Sequence, residues 1–240
     1  MSTVPGENGR PERIRAFIAA RFSRTGYLGL YLTIGLGLSL LSLWLFAAVA
    51  EDVVTREPLT LLDLRVANLL HQYSTPPLTT VARVVTLLGA PVWLALIGIV
   101  VAVLLYRGRR RLLLLGWIAA LLGGDILDFS LKQLFHRPRP YFSDPIFSAQ
   151  GWSFPSGHAL ESLITYGMLI FVILQIRPSA PRLALPLAAT LLVIAIGITR
   201  LYLGVHYLSD VLAGYAAAAM WLAACISGVL VALRRPVVAA

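Results

Sequence analysis

The sequence predicts an all-α integral membrane protein built as a bundle of six transmembrane helices. Of its 240 residues, 58% are hydrophobic and only 13% are charged, whereas a soluble domain carries roughly 25% charged residues. The mean hydropathy is +0.81. Since a bilayer core needs about 20 apolar residues per helix, six apolar runs qualify as spans: 27–50, 78–106, 112–131, 158–176, 184–203 and 211–233.

The first run follows a polar, arginine-rich segment, residues 1–26. This run is longer than the apolar core of a signal peptide, which has about 7–15 residues. We therefore expect an uncleaved first span, and a transmembrane domain that covers residues 27–233. Within the N-terminal segment, Ile14, Phe17 and Ile18 of ERIRAFIAARFSR share one helical face, which predicts a basic helix in the membrane interface.

Residues 51–77 connect the first and second runs and contain TLLDLRVANLLHQY. The leucines and the valine recur at near-helical spacing beside Asp63, Arg65 and Gln72. This pattern predicts an external amphipathic helix on the membrane surface. The second run is long enough to tilt, or to begin in the interface.

The basic residues indicate the orientation of the chain. Residues 1–26, the loop 107–111, the loop 177–182 and the tail 234–240 hold five, four, two and two arginines, thirteen of the 20 basic residues. With six spans these four segments lie on one side of the bilayer, and short loops rich in arginine stay cytoplasmic. We therefore expect both termini inside, a multi-pass protein of the inner (plasma) membrane, and no nucleic-acid partner.

Three polar clusters lie where the membrane gives no reason for them, at the external ends of spans three to six. They are KQLFHRPRP (132–140), PSGH (155–158) and TRLYLGVHYLSD (199–210). Ionisable groups at membrane depth are costly and mark functional sites. Because the clusters share one side of the bilayer, they predict a single composite site that faces the periplasm or the exterior.

The basic residues of these clusters suit an oxyanion. Lys132 is the only lysine beside nineteen arginines, and Asp128, one turn earlier, predicts an i, i+4 ion pair. Lys132, Arg139 and Arg200 suit a multiply charged oxyanion, since arginine offers bidentate donors to phosphate.

The PSGH stretch adds a helix start to the site. Ser156 is suited to be the N-cap of the fourth span, and Gly157 lets the backbone approach a ligand closely. The free N–H groups of a helix start, together with its dipole, bind anions. His158 then adds a titratable proton donor beside that anion site.

His206 and Asp210 are four residues apart and therefore share one helical face. A carboxylate that accepts a hydrogen bond from one ring nitrogen makes the other nitrogen more nucleophilic. A zinc site formed with His158 is the alternative, but the neighbouring cationic side chains disfavour it. The single cysteine, Cys225, excludes a disulfide framework.

Taken together, the three clusters resemble the type 2 phosphatidic acid phosphatase (PAP2) superfamily. Its first motif, Lys-x6-Arg-Pro, matches Lys132 and Arg139-Pro140, whereas Arg137-Pro138 has the wrong spacing. Its second motif, Pro-Ser-Gly-His, matches 155–158. Its third motif, Ser-Arg-x5-His-x3-Asp, matches 199–210 with Thr199 in place of the serine.

The resemblance implies a role for each matched residue. His206 would attack phosphorus and form a phosphohistidine, Asp210 would orient His206, and His158 would protonate the leaving oxygen. Phosphate oxygens would be held by Lys132, Arg139, Ser156, Gly157 and Arg200. No metal or cofactor is expected. Outside the motifs, we expect supporting roles next to the site for Glu161, Asp128 and Trp152.

The resemblance implies a bacterial membrane lipid phosphatase whose substrate is a phosphate or diphosphate monoester on a lipid. Family members act on undecaprenyl diphosphate, phosphatidylglycerol phosphate, phosphatidic acid or lipid A phosphates, and among these we favour an isoprenyl diphosphate. One alternative is a phosphotransferase that passes the phosphoryl group to an acceptor. A transporter or scramblase of anionic lipids is the alternative from another class, although the sequence shows no internal repeat.

Overall fold

The computed structural model describes residues 30–56 and 58–234, and within these ranges every regular element is a helix. The predicted interfacial helix in residues 1–26 and nearly all of the tail 234–240 lie outside the described residues. The helices are α1 (Leu30–Thr55), α2 (Pro58–Gln72), α3 (Pro76–Leu87), α4 (Pro91–Arg107), α5 (Arg111–Phe135), α6 (Gly157–Ile176), α7 (Ala184–Tyr202) and α8 (Leu208–Arg234).

Six segments of the described chain are long and apolar enough to cross a membrane, which confirms the predicted all-α six-span class. The second of them, Pro76–Arg107, is not one continuous helix as expected. It consists of α3 and α4, separated by a break at residues 88–90. Pro91 stands at the start of α4, where its fixed φ and missing N–H are tolerated.

The bundle is organised around α6 and α8. α8 packs against α1, α6 and α5. In the most apolar 18-residue stretch of α6, 44% of the residues are buried, compared with 6% in that of α1, so α6 lies at the centre of the bundle and α1 at its outside. The central cluster contains Trp117, Leu160, Ile164 and Met168, each of which is at most 1% exposed.

α2 is the short amphipathic helix that the sequence predicts between the first two spans. It packs on α8, α1 and α7. Most of its leucines are exposed, whereas Asp63 is only 1% exposed. The face that α2 turns toward the bundle therefore contains a buried carboxylate, which the hydrophobic pattern did not predict.

Residues 136–156 connect α5 to α6 without regular structure. Ser153 holds this loop back on itself, because its N–H and its hydroxyl both donate to the Arg137 carbonyl, at 2.9 and 3.2 Å. The Ser156 N–H donates to the Asp210 carbonyl at 2.9 Å. These bonds bring the two arginines of the loop against the start of α8.

Candidate active site

The three clusters meet at a cavity of about 640 Å³ between α3, α5, α6, α7 and the 136–156 loop. The apolar part of its lining comes from α3, the break after it, the first residue of α4 and the 136–156 loop, and consists of Val84, Leu87, Ala90, Pro91, Phe147 and Ala149. Its polar end brings together residues from all three predicted motifs, namely Lys132, Arg139, Gly157, His158, Arg200 and His206. One cavity therefore combines cationic and imidazole side chains that are separated by up to 74 residues in the sequence.

Arg139 is held in this cavity by neutral acceptors. Its guanidinium donates to the carbonyl oxygens of Gly151, Val205, Gln150 and Trp152, at 2.8 to 3.2 Å. No carboxylate lies within ion-pair distance of it among the described residues. Burial lowers the pKa of Arg139, and nearby carboxylates only partly oppose this. The side chain is thus fixed while its charge stays available to an anion.

The hydrogen bonds of His206 define its tautomer. Arg139 Nη1 lies 3.1 Å from His206 Nε2. A guanidinium has no acceptor, so Nε2 must accept this bond and cannot carry the proton. His206 Nδ1 then donates to the Ser153 carbonyl at 2.8 Å. The neutral ring therefore presents an unprotonated Nε2 beside Arg139.

His206 is 3% exposed. Burial lowers its pKa to about 4, and the hydrogen bond and charge of Asp210 only partly oppose this effect. The imidazole is consequently neutral at pH 7, which leaves the Nε2 lone pair available as a nucleophile.

Asp210 lies next to His206 but is not its nearest hydrogen-bond partner. Its Oδ2 atom accepts from the Tyr207 N–H at 2.8 Å and is 3.4 Å from His206 Nδ1. The Ser153 carbonyl is closer to the ring, at 2.8 Å. The carbonyl and the carboxylate therefore face the same ring nitrogen.

Arg200 is a buried cation without an ion-pair partner among the described residues. It is 4% exposed, and its Nη1 donates to Thr86 Oγ1 of α3 at 2.9 Å. Its Nε is buried and has no hydrogen-bond partner in the described chain. Because a buried charge without a partner is unfavourable, this arrangement fits an anionic ligand at the polar end of the cavity.

Lys132 forms the ion pair that its spacing predicts, since Lys132 Nζ lies 2.5 Å from Asp128 Oδ2. Gly157 makes this arrangement possible. A Cβ atom at Gly157 would lie 2.7 Å from Lys132 Nζ and 3.2 Å from Asp128 Oδ2. The glycine therefore allows the ion pair to pack against the start of α6, a reason that the sequence pattern alone did not give.

Ser156 stands at the predicted N-cap position of α6, but its side chain makes no capping hydrogen bond. This corrects the expectation of a side-chain cap. Ser156 is fully buried, and its Oγ has no partner among the described residues. The Ser156 hydroxyl of the second motif therefore lacks a protein partner, as does the Arg200 Nε atom of the third motif.

His158 lines the cavity from the first turn of α6. The break between α3 and α4 approaches its ring closely. A Cβ atom at Gly89 would lie 3.3 Å from His158 Cδ2 and 2.5 Å from Ile196 Cγ2. A side chain at position 89 would therefore displace neighbours of His158, which explains a glycine in the middle of the second span.

The three residues expected to support the site differ in their placement. Glu161 lines the main cavity and also a smaller one of about 260 Å³ that contains Asp125. Asp128 contacts Lys132, as described above. The ring of Trp152 packs edgewise on His136 and does not line the cavity. Only its carbonyl, which accepts from Arg139, takes part in the site.

Two charged residues behind His206 were missed by the sequence reasoning. Arg137, which the motif spacing set aside, donates to Asp210 Oδ1 at 2.5 Å and to Asp63 Oδ2 at 2.8 Å. Asp63 comes from α2 and was assigned only to an amphipathic pattern. The one available signal was that Arg137 is among the basic residues whose position the orientation of the chain does not explain.

Comparison with known proteins agrees with this geometry. The PAP2 superfamily model matches residues 111–233, just over half of the chain. The chain is 27% identical over 181 residues to phosphatidylglycerophosphatase B of Bacillus subtilis (strain 168), a match that covers 72% of this chain and 86% of that protein. This chain belongs to the PAP2 superfamily.

Two solved structures share the fold. The transmembrane PAP2 type phosphatidylglycerolphosphate phosphatase from Bacillus subtilis has a TM-score of 0.67 at 25% identity, over 80% of this chain and 93% of that one. Aquifex aeolicus LpxE has a TM-score of 0.54 at 24% identity, over 70% of this chain and 94% of that one. The predicted class, a multi-span membrane lipid phosphatase, is confirmed.

Proposed function

We propose that this enzyme hydrolyses a phosphate or diphosphate monoester of a membrane lipid through a phosphohistidine on His206. The observation that carries the proposal is the composition of the main cavity. It contains an unprotonated His206 Nε2, a second imidazole and arginines held by neutral acceptors, among them Arg139 and Arg200. Phosphoryl transfer needs positioned groups and fixed positive charge more than it needs covalent chemistry from the protein.

In the first step, His206 Nε2 attacks phosphorus and the bond from phosphorus to the lipid oxygen breaks. His158 donates a proton to that departing oxygen, so the lipid leaves as an alcohol, or as a monophosphate when the substrate is a diphosphate. The developing charge on His206 is balanced by Asp210, whose Oδ2 lies 3.4 Å from Nδ1. The products of this step are the freed lipid and a phosphohistidine.

In the second step, His158 accepts a proton from water and the resulting hydroxide oxygen attacks phosphorus. The bond between phosphorus and Nε2 breaks, inorganic phosphate leaves and His206 is restored. The charge on the phosphoryl oxygens is stabilised in both steps by Lys132, Arg139, Arg200, the Ser156 hydroxyl and the Gly157 amide.

We propose phosphatidylglycerol phosphate as the first substrate to test, ahead of the isoprenyl diphosphate that the sequence favoured. The support is that the Bacillus subtilis protein with 27% identity is a phosphatidylglycerophosphatase. The apolar residues of the cavity lining, among them Leu87, Pro91 and Phe147, fit the acyl chains of such a lipid. Undecaprenyl diphosphate and phosphatidic acid belong to the same chemical class and complete the panel.

We also propose that both termini are cytoplasmic and that the site, together with α2, faces the periplasm or the exterior. This proposal is supported by the arginines of the N-terminal segment, the loops 107–111 and 177–182 and the tail, which lie at the ends of the spans opposite the site. A cysteine introduced at Tyr141, which is 91% exposed on the site's side, should react with a membrane-impermeant maleimide in intact cells. Protection of this cysteine would place the site in the cytoplasm.

The proposed activity is tested by incubating the purified protein with each lipid of the panel and measuring free phosphate in the absence of any acceptor. Phosphate release from phosphatidylglycerol phosphate at the highest kcat/KM is the expected result. A requirement for an added acceptor would identify a phosphotransferase instead. Movement of labelled lipid between leaflets without phosphate release would identify a scramblase.

A further inference from the structure

We infer that Asp63 and Arg137 are positioning residues that, with Asp210, form a buried charge triad behind His206. This triad (Asp63, Arg137, Asp210) fixes the orientation of Asp210 and the net charge that faces the imidazole. The inference rests on the proposed function, in which His206 is the nucleophile. It assigns part of the catalytic machinery to α2, a surface helix that precedes all three motifs in the sequence.

The first support is the geometry of Arg137, which joins the two carboxylates. Its Nη1 donates to Asp210 Oδ1 at 2.5 Å and to Ser209 Oγ at 2.6 Å. Its Nη2 donates to Asp63 Oδ2 at 2.8 Å. The guanidinium also lies over the Tyr207 ring, 4.3 Å from its centroid. Arginine alone among the side chains offers this fork of donors.

The second support is the way in which Asp63 is bound. It is 1% exposed, and its Oδ1 accepts from the Ser209 N–H at 2.9 Å. Its Oδ2 accepts from Ser209 Oγ at 2.5 Å, in addition to the bond from Arg137. Asp63 is therefore attached both to the loop arginine and to the first turn of α8, which carries Asp210.

These contacts determine which oxygen of Asp210 faces His206. Arg137 binds Oδ1, and the Tyr207 N–H binds Oδ2 at 2.8 Å. With both oxygens bound, the carboxylate is not free to rotate, and Oδ2 stays 3.4 Å from His206 Nδ1. A carboxylate that rotated would lose this contact with Nδ1, the ring nitrogen that carries the proton.

The net charge of the triad is a third observation that supports the inference. Two buried carboxylates and one guanidinium leave a net charge of −1 behind the imidazole. Attack by Nε2 produces one positive charge on His206, which this net charge matches. Burial alone would lower the pKa of Arg137, but Asp210 and Asp63 outweigh burial and raise it. The guanidinium therefore stays charged throughout.

Besides the triad, two cations and one titratable group face His206, and none of them is changed in the test. Arg139 lies on the loop, Arg200 on α7 and the titratable His158 on α6. Substitutions of Asp63 and Arg137 leave all of these in place. A change in the proton affinity of His206 can then be attributed to the triad.

The test is an NMR titration of His206 in the full-length protein, labelled with 15N-histidine and held in detergent micelles without substrate. The chain has four histidines, and His206→Gln identifies the resonance of interest. Arg137→Gln leaves a net charge of −2 and should raise the titration midpoint by about one pH unit. Asp63→Asn leaves a net charge of 0 and should lower the midpoint.

The double variant Asp63→Asn/Arg137→Gln restores the net charge of −1, and its midpoint should return close to that of the wild type. Arg137→Lys keeps the charge but cannot hold both carboxylates through one fork, so its midpoint should stay close to that of the wild type. These two variants carry the test if either single substitution prevents folding.

Kinetics give a second readout. Each single variant should lower kcat by about 10- to 100-fold, the loss that is typical when a hydrogen-bonded partner behind a metal ligand is removed. Because the residues of the triad do not line the main cavity, KM should change less than about threefold. Asp144→Asn is the matched control. It removes another contact between α2 and the loop, the 3.0 Å pair with His71, and should leave both the midpoint and kcat unchanged.

Shifts of the same sign in Arg137→Gln and Asp63→Asn, or a midpoint that moves in neither, would overturn the inference. So would an equal loss of kcat in Asp144→Asn. Failure of the proposed function has a different signature, because the titration is recorded without substrate. It would appear as full phosphatase activity in His206→Gln.

Discussion

The arginines on the two sides of His206 are held by different kinds of hydrogen-bond acceptor. On the cavity side, Arg139 and Arg200 are held by carbonyl and hydroxyl oxygens. On the rear side, Arg137 is held by the carboxylates of Asp63 and Asp210. Burial lowers the pKa of Arg139, whereas the two carboxylates raise that of Arg137.

This difference shows how a chain can separate charge for binding from charge for structure. Neutral acceptors fix a guanidinium without cancelling its charge, so an anion in the cavity still gains from it. Carboxylates fix a guanidinium and compensate its charge, so this group stabilises the structure behind the site. Arg137 and Arg139 are two residues apart, and only their partners determine which of these roles each one has.

The largest expected loss of activity comes from replacing His206, which lies between Arg139 and Arg200 on one side and Arg137 on the other. His206→Ala should lower phosphate release by about 10⁴-fold or more, because no other side chain can take over the attack on phosphorus. The measurement is kcat/KM with phosphatidylglycerol phosphate. His136→Ala, which changes an exposed histidine at the end of α5, is the matched control and should keep its activity. Comparable turnover in His206→Ala would remove the nucleophile from the account.

The second prediction compares the two kinds of arginine directly. Arg200→Gln should lower kcat/KM by about 10²- to 10³-fold, since a preorganised donor to the phosphoryl oxygens is lost. It should not lower the melting temperature, because a buried cation without an ion-pair partner is removed. Arg137→Gln should destabilise the fold by about 3–5 kcal/mol, because two buried carboxylates lose their cation.

Thermal unfolding of the two variants in the same detergent measures this difference. Thr86→Val, which removes only the hydroxyl partner of Arg200, should reduce activity less than Arg200→Gln does. An equal loss of melting temperature in Arg200→Gln and Arg137→Gln would show that the two sides of the site do not differ as described.

The third prediction concerns pH. The pKa of His206 is about 4 in the folded protein, against about 6.5 in an unfolded chain. Between these two pH values the unfolded state binds more protons than the folded state. The contribution of neutral His206 to the free energy of unfolding is therefore fully present above about pH 6.5, and it is lost as the pH falls toward 4. The melting temperature of His206→Gln should fall less over this range than that of the wild type. Parallel pH profiles for the two proteins would contradict the burial of a neutral His206.

The smallest expected effect is that of chelation. In the proposed mechanism, phosphoryl charge is stabilised by arginine, lysine and backbone N–H groups, so no step depends on a metal ion. Activity after dialysis against EDTA should stay within experimental error of the untreated enzyme. Loss of activity on chelation, with recovery on addition of a divalent cation, would contradict the account.

The fold and the cavity side were largely predictable from the sequence. Long apolar runs specify spans because the bilayer imposes their length, and all six were confirmed. The break at residues 88–90 was not predicted, because its cause is not local. Gly89 is needed where the chain passes close to His158 and Ile196, which belong to distant helices.

The rear side was less predictable, since its contacts join distant parts of the chain. Asp63 and Ser209 are 146 residues apart, and nothing in the pattern of α2 distinguishes a buried aspartate from an exposed one. The position of the Trp152 ring was unpredictable for a similar reason, because proximity in sequence to the second motif does not determine where an indole packs. The pairing of Lys132 with Asp128 depends only on helical periodicity, and it was predicted.

Transfer of the phosphoryl group to His206 can be detected by trapping the phosphohistidine. The enzyme would be mixed for milliseconds with phosphatidylglycerol phosphate labelled with 32P in its terminal phosphate, quenched in alkali to preserve phosphohistidine, and mapped by peptide. We expect label on His206, none in His206→Ala, and a longer-lived label in His158→Ala. Normal turnover without label on His206, or label on another residue, would contradict the transfer to His206.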